Sequence, residues 1–155
     1  MRRAIVTASS DGMVYAAVND MTVQYTATGF VATSFDFSKG KGELVALDAS
    51  TGKILWANNY DALNVGAATV VNDLVFTSTF DGKVHALNKK TGEEVWSYQA
   101  SGPINGWPAV KGDTIIIPVG MGKTPALVAF RIGASGQAPA ETTAPSGGAG
   151  KGFQQ

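Results

Sequence analysis

The chain has 155 residues, a formal net charge of +0 and only 15% charged residues, so it has no electrostatic field to capture nucleic acid or an anionic membrane. It has no cysteine, which excludes disulfides, thiolate metal sites and Cys-x-x-Cys-His haem attachment. No apolar run approaches the roughly 20 residues of a membrane span, while a 45% hydrophobic content suits one core of short strands.

Met1-Arg2-Arg3 is basic like the start of a secretory signal, but residues 7–12 are too polar for the apolar segment that must follow, so no signal peptide is read here. Residues 3–10 and 13–18 are strand-like runs joined at Ser10-Asp11-Gly12, where Asp-Gly is a strong hairpin signal. After Val18 the pattern lapses until Gly42, which predicts an insertion over 19–41. Insertions in repeat proteins cluster on one face and can line a site; the plainer expectation is that Tyr25, Phe30, Phe35 and Phe37 pack on the rim.

From Gly42 the chain states one sentence twice, GELVALDASTGKILW at 42–56 and GKVHALNKKTGEEVW at 82–96, forty residues apart. Four short strands per unit at about 40 residues is the signature of a propeller blade. In each copy two apolar runs flank a loop that starts with Asp48 or Asn88, able to bond the backbone ahead of it, and ends at Gly52 or Gly92, able to take positive φ. The outer strand then carries Trp56 or Trp96, and a hairpin this small is marginal unless the indole meets a neighbouring blade.

Residues 67–71 and 74–79, turning at Asn72-Asp73, predict the inner strands of a second blade, and 108–110 with 114–119 repeat them in a third. The third blade continues to Ile132, after which no Thr-Gly-x-x-x-Trp follows, so its outermost strand is predicted to be missing. Residues 133–155 are Gly, Ala, Ser, Thr, Pro and Gln with almost no large apolar side chain, the composition of a disordered tail. The predicted fold is therefore all-β, a partial β-propeller over 1–132, with four-stranded blades at about 1–60, 61–100 and 101–132. Propellers close with about 4–8 blades, so three blades imply that missing blades, or another chain, complete the ring. The start inside a strand favours a truncated ring.

Ala46, Asp48, Thr51, Gly52 and Trp56 fill the tryptophan-docking repeat of quinoprotein propellers, and the second copy departs only at Asn88. With Asp11-Gly12-Met13-Val14-Tyr15, Asn64-Val65-Gly66, Gly106-Trp107-Pro108 and Gly120-Met121-Gly122, residues 3–132 resemble the last three blades of quinoprotein alcohol and methanol dehydrogenases. The resemblance implies an eight-bladed ring, pyrroloquinoline quinone (PQQ) and calcium in a central funnel, alcohol oxidation by hydride transfer with a separate electron acceptor, and a periplasmic or secreted location. It points to Asn64, Gly66, Gly120 and Gly122 near the cofactor, with Trp107 as a weaker neighbour. It also implies that the family's catalytic aspartate, its calcium ligands and the Trp beneath the quinone lie in earlier blades, so no catalytic or metal residue is assigned here. The alternative is a non-catalytic scaffold propeller that binds protein partners, as outer-membrane assembly scaffolds with this repeat do.

Other constellations fail. Asp11, Asp20, Asp48, Asp73, Asp81 and Asp113 read as turn residues, and Glu43, Glu93 and Glu94 as solvated. His85, the single histidine, reads as a packing or rim residue without metal partners. Gly122-Lys123-Thr124 resembles the end of a phosphate loop, but Ile117 stands where glycine is required and Pro125 opposes the following helix.

Overall fold

The computed structural model describes residues 2–120, 125–133 and 142–143. β1 (Arg2–Ser10) and β2 (Met13–Asp20) pair across Asp11 and Gly12, whose φ values of 51° and 74° are those of a type I′ hairpin turn. A small hairpin of β3 (Tyr25–Thr26) and β4 (Gly29–Phe30) and a 3₁₀ turn at Ala32–Ser34 follow. β5 (Lys41–Asp48) then returns to pair with β2, and β6 (Ile54–Tyr60) forms the outer edge. The insertion is thus 21–40, because Asn19, Asp20 and Lys41 belong to the strands that flank it. Asp20, expected in a turn, is the last residue of β2.

The second sheet is a plain meander of β7 (Thr69–Val71), β8 (Leu74–Ser78), β9 (Lys83–Asn88) and β10 (Glu94–Gln99). The third runs β11 (Ala109–Lys111), β12 (Thr114–Val119), β13 (Ala126–Arg131) and β14 (Thr142–Thr143). The outermost strand expected to be missing after Ile132 is therefore present as the two residues of β14, paired with Ala126 and Leu127. A strand of two threonines has no periodicity to read, and it falls in the segment whose composition predicts a tail; the rest of 134–155 lies outside the described residues.

The two copies of the repeat fold alike. Asp48 Oδ1 accepts from the backbone and hydroxyl of Ser50 (3.0 and 2.6 Å) and of Thr51 (2.8 Å each), and Gly52 N–H closes the loop on Asp48 O at 2.8 Å with φ 69°. These bonds, the Ser50 hydroxyl foremost, pull the Asp48 carboxyl down to about 2. Asn88 keeps the acceptor oxygen, taking Lys90 and Thr91 N–H at 2.9 and 3.2 Å, and Gly92 repeats the closure at φ 76°. Each outer strand slips register just before its tryptophan, between the pairings of Ile54 and Trp56 and between those of Glu94 and Trp96. A bulge of this kind re-aims the side chain that follows it.

Two cores lie between the sheets. Tyr15, Leu44, Ala46, Ala68, Val75 and Leu87 fill the seam between first and second. Val84, Ile104, Ile115, Ile117, Val119 and Val128 fill the seam between second and third.

Candidate functional site

Successive strands reverse direction, so the insertion, the 79–82 turn, the connection after Val119 and the crossings 61–68 and 100–108 all leave the sheets at one end. The sequence candidates lie on these connections. The short Asp11, Asn72 and Gly112 turns and the two Thr-Gly loops occupy the opposite end.

The crossing 61–68 is pinned from three sides. Phe80 N–H donates to Leu63 O at 2.8 Å. Asn19 acts as a false strand partner to Asn64, its Nδ2 donating to Asn64 O at 2.8 Å while its Oδ1 accepts Asn64 N–H at 2.6 Å. Asn64 is itself fully buried, with Nδ2 donating to Glu43 O at 3.2 Å and Oδ1 lying 2.6 Å from the Thr77 hydroxyl, which also reaches Ala67 O at 2.5 Å. Every polar atom of its side chain is engaged within the fold. Unpaired buried amides are costly, so these bonds hold the residue and its loop in place.

Gly66 donates to Ser78 O at 3.0 Å, and a Cβ there would stand 1.8 Å from Ser78 Oγ. Ser78 Oγ in turn donates to Gly106 O at 3.2 Å, and a Cβ on Gly106 would meet Pro118 Cγ at 2.9 Å. Two glycines forty residues apart thus close both crossings against the inner strands, so that the wall they build is backbone. Beside it Trp107 is 58% exposed. Gly120 is exposed, and a Cβ added there would meet nothing within 4 Å. Gly122 lies outside the described residues. The structure therefore brings Asn64, Gly66 and Gly106 around β8 and leaves Trp107 and Gly120 facing outward.

The insertion packs its aromatics into a row. Phe30 meets Phe35 edge-on at 5.2 Å, Phe35 stacks on Phe37 at 6.2 Å, and Phe37 stacks on Phe80, in the 79–82 turn, at 5.1 Å. The rim role expected for these rings is seen, although Tyr25, Phe30 and Phe37 remain exposed.

Sequence reasoning missed the polar groups between the first and second sheets. His85 is buried, 4.5 Å from the ring of Tyr60, with Nδ1 2.5 Å from Glu94 Oε2 and Nε2 3.5 Å from Thr79 Oγ1. Burial holds its pKa below the ordinary histidine value despite the carboxylate. Glu94 is exposed, as expected, and also pairs with Lys83 at 3.4 Å. At the opposite end Lys89 is buried, its Nζ donating to Asp11 at 2.6 Å and its carbonyl accepting both Tyr15 OH (3.2 Å) and Trp56 Nε1 (3.0 Å). Among the described residues no group of three His, Cys, Asp or Glu could hold a metal ion, and no helix is long and apolar enough to cross a membrane.

The family model for "Outer membrane protein assembly factor BamB", a PQQ-repeat model, matches residues 3–148. The chain belongs to this family. It is 44% identical over 64 residues to a quinoprotein ethanol dehydrogenase of Pseudomonas putida, a match covering 41% of this chain and 10% of the relative. It is 38% identical over 61 residues to the outer membrane protein assembly factor BamB of Francisella tularensis, covering 39% of this chain and 13% of that one. In structure it overlays quinohemoprotein alcohol dehydrogenase ADHIIG of Pseudomonas putida HK5 with a TM-score of 0.68 at 17% identity, covering 91% of this chain and 28% of the other. The chain thus spans a small part of these relatives' length. The all-β partial propeller read from the forty-residue repeat is the fold, and the kinship to quinoprotein alcohol dehydrogenases holds.

Proposed function

We propose that these three blades form part of the cofactor funnel of a PQQ-dependent alcohol dehydrogenase-like propeller, whose further blades complete the ring and supply the reactive groups. The observation that carries this reading is the backbone wall made by Gly66 and Gly106 around Ser78, with Trp107 exposed beside it. The glycines let both crossings close against Ser78 and Pro118, which fixes the loop that presents Trp107. The described candidates do not make a ligand set for PQQ or calcium. Asn64 is buried inside the fold and Gly66 has given its N–H to Ser78, whereas Trp107 and Gly120 are exposed and in this reading are the described candidates that touch a bound quinone. No redox or proton-transfer step is assigned to this chain. In this reading Trp56 and Trp96 are docking residues between blades, the substrate is an alcohol, the electron acceptor a separate partner and the location periplasmic or secreted.

The test is a chimera in which this chain replaces the matching blades of the Pseudomonas putida quinoprotein ethanol dehydrogenase. Quinone-dependent ethanol oxidation is expected to survive, and Trp107→Ala within the chimera to weaken quinone retention. A folded chimera that cannot retain the quinone overturns the reading.

One observation favours a second reading, a non-catalytic scaffold that binds protein. The exposed rings of Tyr25, Phe30 and Phe37 offer an apolar surface at the same end, on a chain whose family model bears the name of an assembly factor. A folded, quinone-free chimera would point there.

A further inference from the structure

The two crossings differ in one chemical respect. In the first, Gly66 gives its N–H to Ser78 O, and the side-chain amide of Asn64 is bonded within the fold. In the second, the fixed atom of Gly106 is its carbonyl, which accepts from Ser78 Oγ at 3.2 Å. The N–H of Gly106 makes no hydrogen bond among the described residues. Asn105, the residue before it, is exposed and lies outside any strand.

Of the seven asparagines in the chain only Asn105 precedes a glycine. That pairing sets a carboxamide carbon beside a main-chain nitrogen with no Cβ to hinder it. The fold itself preserves the pairing, because a Cβ on Gly106 would meet Pro118 Cγ at 2.9 Å. The rest are less open to attack. Asn19 and Asn64 are buried, and the exposed Asn59 and Asn72 precede Tyr60 and Asp73, whose side chains crowd the nitrogen that would react.

We propose that Asn105-Gly106 is a modification site at which the chain deamidates without an enzyme, ageing the loop that presents Trp107. Gly106 N gives up its proton to solvent base and attacks Asn105 Cγ. The N–Cγ bond forms, the Cγ–Nδ2 bond breaks, and the leaving nitrogen takes a proton and departs as ammonia. Water then opens the cyclic imide at either carbonyl. Opening at Cγ leaves an aspartate at position 105; opening at the Asn105 main-chain carbonyl leaves an isoaspartate, whose main chain runs through Cγ and is longer by a methylene. One water enters and one ammonia leaves, so no oxidant or other co-reactant is needed. Either product adds a negative charge to the crossing, and the longer one also moves Gly106 O relative to Ser78 Oγ, the bond that holds Trp107 in its place. That this loosens a bound quinone rests on the funnel reading; the deamidation itself does not.

Warm incubation of the whole chain in mildly alkaline buffer, followed by peptide mass mapping, tests this. The peptide holding Asn105 is expected to change from amide to acid before any other, faster as pH rises, and in part to accept methyl groups from an isoaspartyl methyltransferase. An exposed loop needs no global opening to react, so the native rate is expected to lie within about tenfold of the rate in urea. Asn105→Gln, which would have to close a larger ring, is expected to keep its amide over the same period. Greater protection in the native chain, earlier conversion at another asparagine, no methyl acceptance, or undiminished conversion in Asn105→Gln would each overturn the site. In the chimera, ageing is expected to release quinone in step with the isoaspartate formed, and the Asn105→Gln chimera to hold it. Complete conversion with the quinone retained overturns that consequence. A fresh chimera that never retains quinone defeats the funnel reading while the mass map still decides the deamidation, so the two fail separately.

Discussion

The two seams of this molecule are built from one repeat yet held by different chemistry. Between the first and second sheets, polar side chains stitch across: Trp56 Nε1 and Tyr15 OH share Lys89 O, Lys89 Nζ reaches Asp11, Asn58 Nδ2 reaches Gly92 O at 2.6 Å, and Asn19 grips Asn64. Between the second and third, the cluster around Ile104, Ile117 and Val119 does the work, with Trp96, Tyr98 and Phe130 in edge and stacked contact and few cross-links such as Thr69 Oγ1 to Pro108 O at 2.9 Å. The buried socket that holds Asn64 in one crossing holds Ile104 forty residues later, and both are fully buried. A repeat thus fixes where blades meet but leaves open whether the contact is polar or apolar, and the polar seam is the one that pH and single-atom changes should find.

The largest losses should come from the tryptophans. Trp56 is half-buried, bonded to Lys89 O and laid against Gly92, whereas Trp96 is 38% exposed and packs on the rings of Tyr98 and Phe130. Trp56→Ala is expected to cost about 3 kcal/mol and Trp96→Ala about 2 kcal/mol, scaling the loss for a buried Trp by its cover and adding the Trp56 hydrogen bond. Equal shifts in denaturant midpoint would show that the seams are not unlike in this respect.

Next come the glycines on which those rings would sit. Gly92 has φ 76°, and an added Cβ would stand 2.7 Å from the Trp56 ring; Gly133 has φ 77° and open space. Gly92→Ala should cost about 3 kcal/mol, strain plus displaced indole, and Gly133→Ala about 1 kcal/mol, strain alone. Urea melts of the two variants check the gap, and a double variant with Trp56→Ala should show the Gly92 penalty shrinking toward that of Gly133.

Much of this architecture was legible because it is local. Asp11-Gly12, the Asp48 and Asn88 loops and the positive φ at Gly52 and Gly92 follow from residues within five positions of one another. The seams were not legible, since Lys89 to Asp11, Asn19 to Asn64 and Tyr60 to His85 join residues that only the fan of sheets brings together. One signal was available: aligning the crossings at the repeat spacing sets Asn64 against Ile104, and a polar residue at an apolar repeat position marks a buried bond network. The family resemblance sets Asn64 close to a cofactor, while its atoms show a loop anchor.

His85 gives the polar seam a pH dependence that the apolar seam lacks. Burial lowers its folded pKa beneath 6.5, so as pH falls the unfolded chain takes the proton first, and stability drops from just above 6.5 down to the folded pKa. The melting midpoint should therefore fall between pH 7 and pH 5.5, and His85→Phe should flatten that slope. A slope unchanged in His85→Phe would assign the effect elsewhere.

The smallest expected effect tests how completely the polar seam is satisfied. Tyr60 packs on His85, yet its hydroxyl is buried and has no hydrogen-bond partner among the described residues, and burial raises its pKa above the ordinary tyrosine value. A buried hydroxyl without a partner carries its desolvation cost uncompensated. Tyr60→Phe removes that oxygen and keeps the ring, so the variant should be neutral or more stable by up to about 1 kcal/mol, against the loss usual for a core change. A loss of about 1 kcal/mol or more in the same melt would mean that the hydroxyl is bonded after all, most simply to Glu94, which lies near enough to act on its charge. Repeating the melt of Tyr60→Phe with Glu94→Gln separates these cases, because a penalty that vanishes in the double variant belongs to that pair, and one that persists belongs to the ring's packing.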